Sequence, residues 1–481
     1  IDASKMSNVG QVSLAATGSG TTKIKNLEAG TKIGLGIGVD EYAGTLDVAL
    51  ADATGTSDSL DLVFSSTVDG ADVTTTLKTS GIETINIAAT ADDTDAGHTY
   101  TIDTASVDAS KVVLTGGQVT VPDTYALGTL NKNITTVDAS ALKGKLTITG
   151  VSTGVATTIK HLGTAIATAD LSSGADTVEL GKIGTIVHDI DGSTGTDTLS
   201  ATLTSAASDF TSIDGFETLN LTIADETAVG FDDTTKDDGL NEATTINILG
   251  GNSLSSFTVS TALINDEADG ATDNVKTIDA STFAGKIDIT LDTTAFDDHL
   301  TVKGGALTTD TLRTPATTTT GKIKSLTGVE NLIVSSEDSA TDSVIDLTNA
   351  TGVKTIDLSF TTNTNADKVT FKKVETGTKF KVTSTQTGDE VSIGMADASG
   401  TDTSVEVELI DFENSVDDTL KISGAGIETL TVNEKSADSG ETLNLAGVTA
   451  TSGSKTKLIL KGGDLTLGSL STSFNEIDAS S

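Results

Sequence analysis

Apolar residues fall at every second position in short runs along the whole chain. Segments such as SLDLVF (59–64), KLTITG (145–150), KIDITL (286–291), KVTFKK (368–373) and VEVELI (405–410) alternate an aliphatic side chain with a polar or small one. Clusters of Gly, Asp, Asn, Ser and Thr bound them. Short runs of period two between such breakers predict strands with one buried face. No useful length carries the spacing of an amphipathic helix, so the chain reads as all-β.

One strand type recurs. ETINIAA at 83, TTVDASA at 135, ETLNLTI at 217, TTINILG at 244, KTIDAST at 276, ENLIVSS at 330, KTIDLSF at 354, ETLTVNE at 428 and ETLNLAG at 441 share a pattern, with partial copies such as IDAS at 1. It runs Thr or Asn, then Ile/Leu/Val, commonly Asn or Asp, then an apolar residue or Ala. Because side chains alternate, the two apolar positions face one way and the intervening Asn/Asp and flanking Thr the other. Stacked in register, such strands give an aliphatic ladder inside and an amide and hydroxyl ladder outside, as in a parallel β-solenoid.

The closest copies lie about 22 to 34 residues apart, a span that suits one coil, and others are severalfold further. The expected fold is therefore an irregular parallel β-solenoid, of β-helix or β-roll type, with calcium-binding turns; an array of β-sandwich domains is the rival. Two prolines, Pro122 and Pro315, fit a backbone whose N–H groups are committed to ladders. The few rings are expected in the core or at corners. Acidic, Thr-rich stretches at 224–243, 307–320 and 336–343 are the expected interruptions, giving provisional subdomains 1–225 (solenoid), 226–335 (β-rich) and 336–481 (solenoid).

Charge changes the picture more than length does. Asp and Glu number 69 against 29 Lys and Arg, a net charge of -40, and Arg313 is the one arginine. Phosphate neutralisation needs clustered cations, so a nucleic-acid surface is excluded and an anionic membrane disfavoured. Such a charge opposes compaction unless carboxylates are spread thinly or gather divalent cations. The composition leans toward disorder, but Leu, Ile, Val and Phe make up roughly a quarter of the chain, and their alternation is order that disordered tracts need not keep. Absence of cysteine removes disulfides, thiolate chemistry and soft-metal sites. No apolar run is long enough for a membrane-spanning helix. The chain opens at Ile1 inside a repeat, as a mature chain or a fragment would.

A Gly/Asp knot marks the candidate chemistry. In DGSTGTDTL, Asp191 opens the knot, and Gly192, Gly195, Asp197 and Leu199 match the calcium-binding nonapeptide G-G-x-G-x-D-x-U-x, with Ser193 where the second glycine belongs. The glycines permit positive φ and expose carbonyls, the carboxylate is a hard oxygen ligand, and the apolar residue anchors the next strand. Asp58, Asp176, Asp298, Asp367, Asp389, Asp402 and Asp418 similarly lead into alternating strands. For any one of them the alternative is a turn cap; for the set, the charge balance favours several calcium ions.

Catalytic chemistry finds little support. His98, His161, His188 and His299 lie far apart without metal-ligand spacing and read as lone surface residues. There is no nucleophile elbow or phosphate-cradling loop, and the carboxylate pairs lack the basic partners an acidic sugar needs. The chain is expected not to be an enzyme.

The GTDTL knot, the corners GIETINI, GFETLNL, GVENLIV and GIETLTV, and DAS strands such as VDASALKGKLTITG together resemble the crystalline surface-layer (S-layer) proteins of Gram-negative bacteria with RTX-like repeats and type I secretion. The resemblance covers the whole chain as repeat and composition, most sharply at 190–290 and 400–435. It implies a secreted, calcium-dependent protein that self-assembles with copies of itself into a two-dimensional lattice at the bacterial cell surface. Attachment to lipopolysaccharide would use a region not visible here. The chain departs from that pattern in lacking tandem nonapeptides. A secreted adhesin or biofilm protein is the second reading, and a β-helix carbohydrate-active enzyme the third.

Overall fold

The computed structural model describes residues 1–14, 20–36, 42–64, 72–89, 97–117, 122–162, 167–183, 188–204, 210, 212–231, 243–259, 275–291, 300–316, 320–336, 342–360, 366–384, 388–397, 399, 402–412, 419–435, 442–450, 454–463 and 465–480. Among them the only helical element is one 3-10 turn, Ala3–Lys5, and every strand pairing recorded is parallel. No helix there is long and apolar enough to cross a membrane, which leaves spanning by strands unaddressed. The expected parallel β-solenoid is the fold. Internal packing divides it into two compact units, Ile1–Ala224 with Thr234–Thr244, and Asp225–Asp233 with Thr245–Ser481.

In the first unit successive strands alternate between two sheets. One runs from Gln11–Leu14 to Thr218–Ile223, the other, nine-stranded, from Thr21–Leu27 to Ile213–Asp214. Each coil thus adds one strand to each sheet. In the second unit an eleven-stranded sheet runs from Ala228–Phe231 to Phe474–Asp478. Its strands alternate with those from Thr245–Gly250 to Ala350–Thr351 and with a seven-stranded sheet from Thr320–Lys322 to Thr466–Leu470, and where these overlap a coil carries three strands.

Register carries the alternation from sequence into packing. Leu60, Ile85, Val112, Val137, Ile159, Val178, Leu199 and Leu219 are consecutive partners in one column, all at most 1% exposed. Each such burial stabilises by roughly 1.5–3 kcal/mol. One residue further along, the column faces out and is stitched by side chains. Asn86 Nδ2 donates to Asp61 (2.8 Å), and Lys111–Asp138 (3.2 Å) and Lys160–Glu179 (2.7 Å) pair across coils. Thr136, Thr158, Thr177, Thr198 and Thr218 form the neighbouring outer row. The predicted inner and outer ladders are both present. Tyr100 and Tyr125 lie in the core with ring centroids 5.1 Å apart, as expected.

Two expected interruptions hold strands of the eleven-stranded sheet. One is Ala228–Phe231 within 224–243; the other is Thr311–Ala316 within 307–320, where Leu312, Thr314 and Ala316 are buried. The stretch keeps period two with threonine in place of aliphatic residues, which a strand accepts. Pro315 lies past Arg313, the last residue in register with the preceding strand, so its missing N–H removes no bond there. Arg313 itself is half-buried on the outer face and grips Asp288 through Nε (2.8 Å) and a terminal nitrogen (2.9 Å).

Candidate metal centre

Period two determines where the knot aspartates go. In Asp-x-apolar the carboxylate lies two residues ahead of an inward side chain, so it shares the inner face and closes the core at the corner. Asp176, Asp197, Asp367 and Asp389 are each at most 3% exposed, and Asp58 is half-buried. Burying carboxylates is costly unless they are bonded or paired. Here the neighbouring coil supplies the bonds. The Thr157 N–H donates to Asp176 Oδ1 (2.6 Å), the Asp176 N–H to Asp197 Oδ1 (2.6 Å), and the Asp197 N–H to Glu217 Oε2 (2.6 Å). These steps join residues 19 to 21 apart, one coil each. The result is a staircase of acids along one corner.

The other predicted residues divide. The Asp58 N–H donates to Glu83 Oε2 (2.7 Å), and the Asp367 N–H to Asp389 Oδ1 (2.9 Å). Ser336 Oγ donates to Asp367 and Ser384 Oγ to Asp389, so serines serve that pair. Asp191 is exposed and accepts the Ser193 N–H (2.7 Å), the turn-capping role that was the alternative. Asp402 lies exposed beside a hollow that Glu375, Met395 and Asp397 also line. Asp298 and Asp418 lie outside the described residues.

The knot differs from the nonapeptide at Ser193, and its backbone explains how. Ser193 has φ 66°, the left-handed conformation a glycine would supply. A non-glycine there costs about 1–2 kcal/mol. We expect Ser193→Gly to raise stability by about 1 kcal/mol, read from thermal melts followed by circular dichroism; a lower melting temperature would contradict it.

The staircase and comparable corners elsewhere in the two units hold acids not foreseen as ligands. Glu83, Glu217, Glu330 and Glu428 each follow a positive-φ glycine and a buried apolar residue, as in Gly215 (φ 74°), Phe216, Glu217. The glycine turns the chain, the apolar side chain plugs the core, and the glutamate turns in behind it. Asp310 and Asp123, both 0% exposed, accept the N–H groups of Ile287 and His98. The signal for all of them was present as Glu-x-apolar and Asp-x-apolar.

Electrostatically this corner favours a cation. Burial raises Asp176 above the ordinary carboxylate range. Burial also pushes Asp197 up to about 6, reinforced by the negative charges of Glu217 and Asp176. At a separate corner, in the second unit, Asp310 is raised by burial, and Glu330 by burial and then by Asp310. Among the described residues no three His, Asp or Glu side chains converge as a ready-made cage. Yet Asp58 Oδ2, Asp176 Oδ2 and Asp197 Oδ2 are buried and take no hydrogen bond. Oxygen-only donors with spare lone pairs suit a hard cation such as calcium.

The histidines correct the reading of lone surface residues. His98, His161 and His188 are at most 2% exposed. His188 Nδ1 accepts the Ala167 N–H (3.2 Å), and its pKa is pushed down to about 4 by burial and then by neighbouring His161. His98-x-Tyr100, Ile159-x-His161 and His188-x-Ile190 obey the same period as the aspartates, which turns each imidazole inward. His299 lies outside the described residues.

Fold and corner together define a class: a parallel β-solenoid whose coils are closed by inward carboxylates. No protein-family model, curated protein or solved structure matches the chain.

Proposed function

We propose that this chain is a structural protein that self-assembles, with calcium, into a two-dimensional crystalline layer on a bacterial cell surface. The observation that carries the reading is the row of inward carboxylates at successive corners, Asp176, Asp197 and Glu217, two of them with a buried oxygen that no protein group satisfies. In a chain of net charge -40 without disulfides, divalent ions at those corners would offset the repulsion between carboxylates on adjacent coils. Extracellular modules bind calcium at about 10⁻⁴ to 10⁻³ M, so the fold would tighten only after export by type I secretion. Attachment to lipopolysaccharide through a region not seen here completes the proposal. The composition disfavours an enzyme, since Arg313 and the resolved lysines named above sit in outer ion pairs rather than beside the acids of the staircase.

Electron microscopy of the purified protein tests this. Ordered sheets are expected with millimolar calcium and dispersed particles in chelator. Particles that stay monomeric with calcium would reject the lattice and favour the adhesin reading.

A further inference from the structure

The Gly-apolar-Glu corner has a use beyond turning the chain. Glu217 places its carboxylate one coil beyond Asp197 and is held there by the Asp197 N–H (2.6 Å), while Asp197 is itself held by the Asp176 N–H (2.6 Å). Two acids on adjacent coils are thus tethered side by side through one oxygen each. Asp197 is 0% exposed and its Oδ2 has no partner; Asp176, one coil before, is 1% exposed with its Oδ2 in the same condition. The charged groups acting on Asp197 are Glu217 and Asp176, both negative. Backbone also converges here: a Cβ on Gly195 would lie 2.8 Å from both Asp197 carboxylate oxygens and 2.0 Å from the Gly174 carbonyl oxygen. Carboxylate and carbonyl oxygens from successive coils therefore crowd one point.

We propose that Glu217 is the second carboxylate of a divalent-cation site shared with Asp197, bridging two coils, and that Glu83 with Asp58 forms a second copy. The inference rests on the calcium reading above and assigns ligands that the nonapeptide pattern does not contain. The second copy shares some of these parts: the Asp58 N–H donates to Glu83 Oε2 (2.7 Å), and the half-buried Asp58 has a buried Oδ2 without a partner, 3.0 Å from where a Cβ on Gly55 would lie. Glu83 follows Gly81 (φ 68°) and buried Ile82, as Glu217 follows Gly215 and Phe216. A hard ion takes six to eight oxygens at about 2.3–2.6 Å, so the two side chains would be completed by carbonyls and water.

The experiment is calcium stoichiometry by equilibrium dialysis on the full chain, with circular dichroism melts in chelator. Glu217→Gln keeps an amide oxygen for the Asp197 N–H while losing the charge. It should bind one ion fewer than wild type while melting no lower than wild type in chelator, since it also removes a charge that repels Asp197. Glu83→Gln with Glu217→Gln should bind two fewer. Glu179→Gln, which removes only an outer ion pair with Lys160, should keep the full count. If Glu217→Gln binds as many ions as wild type, Glu217 is not a ligand and the inference fails while the calcium reading stands. If wild type itself binds none, both fail.

Discussion

Gly195→Ala is expected to destabilise the protein by about 3 kcal/mol, whereas Gly20→Ala is neutral within about 0.5 kcal/mol. A methyl at Gly195 would sit 2.0 Å from the Gly174 carbonyl oxygen and 2.8 Å from the Asp197 carboxylate, whereas at Gly20 it meets nothing within 4 Å. Neither glycine has positive φ, so the contrast isolates space from backbone conformation. A flexible side chain could step aside, but the obstacle at Gly195 is main chain of the adjacent coil. Moving it disturbs the step between Asp176 and Asp197, because Gly174 lies just ahead of Asp176. Overpacking ordinarily costs about 1–3 kcal/mol, and an immovable neighbour places this site at the upper end. Urea unfolding of both variants, in chelator, reads the difference. Equal midpoints for Gly195→Ala and wild type would mean that the coils are not stacked as closely as described.

Acid should weaken the first unit through His188. Its pKa falls from 6.5 to about 4 on folding, because the buried imidazole cannot easily be charged. Above about 6.5 the ring is neutral in both states and pH has no effect through it. Between there and about 4 the unfolded chain binds a proton that the folded chain refuses, so stability declines as pH falls, by up to about 3 kcal/mol. Asp197 acts with opposite sign. Its folded pKa of about 6 lies above the ordinary 3.8, so its contribution grows as pH falls through that interval. The two partly cancel in wild type, and the informative quantity is the difference from His188→Asn. That amide oxygen can accept the Ala167 N–H but takes up no proton. The stability gap between the two proteins should shift by about 3 kcal/mol in favour of the variant from pH 7 to pH 4. A gap that does not vary with pH would show that His188 is not buried neutral.

Much of the corner was legible from spacing. Asp197-x-Leu199 places acid and aliphatic residue on one face whatever the fold, provided the segment is a strand. Applied consistently, that rule also turns Glu217, Asp310 and all three described histidines inward. Residue type alone leaves a lone imidazole intermediate between core and surface, and strand position is what turns these three inward. The stretch around Thr311 follows the same rule: its threonines resemble loop composition, yet Leu312, Thr314 and Ala316 keep the beat. Spacing could not say which coil each carboxylate serves. Asp389 bonds the N–H of Asp367 and takes Ser384 besides, whereas Asp197 keeps one oxygen unmatched. Local sequence around the two is much alike.

The chain by itself determined strand character, which face of each strand is buried, and the absence of disulfide or thiolate chemistry. These depend only on side-chain alternation and on residue types present, both local properties. Only the tertiary structure decided the register that stacks Leu60 through Leu219 in one column, the pairing of Asp197 with Glu217, and the closeness of coils at Gly195. Those depend on which residue of the next coil lies alongside, and the number of residues per coil, 19 between Thr157 and Asp176 but 25 between Asp58 and Glu83, sets that offset without leaving a mark in any single strand.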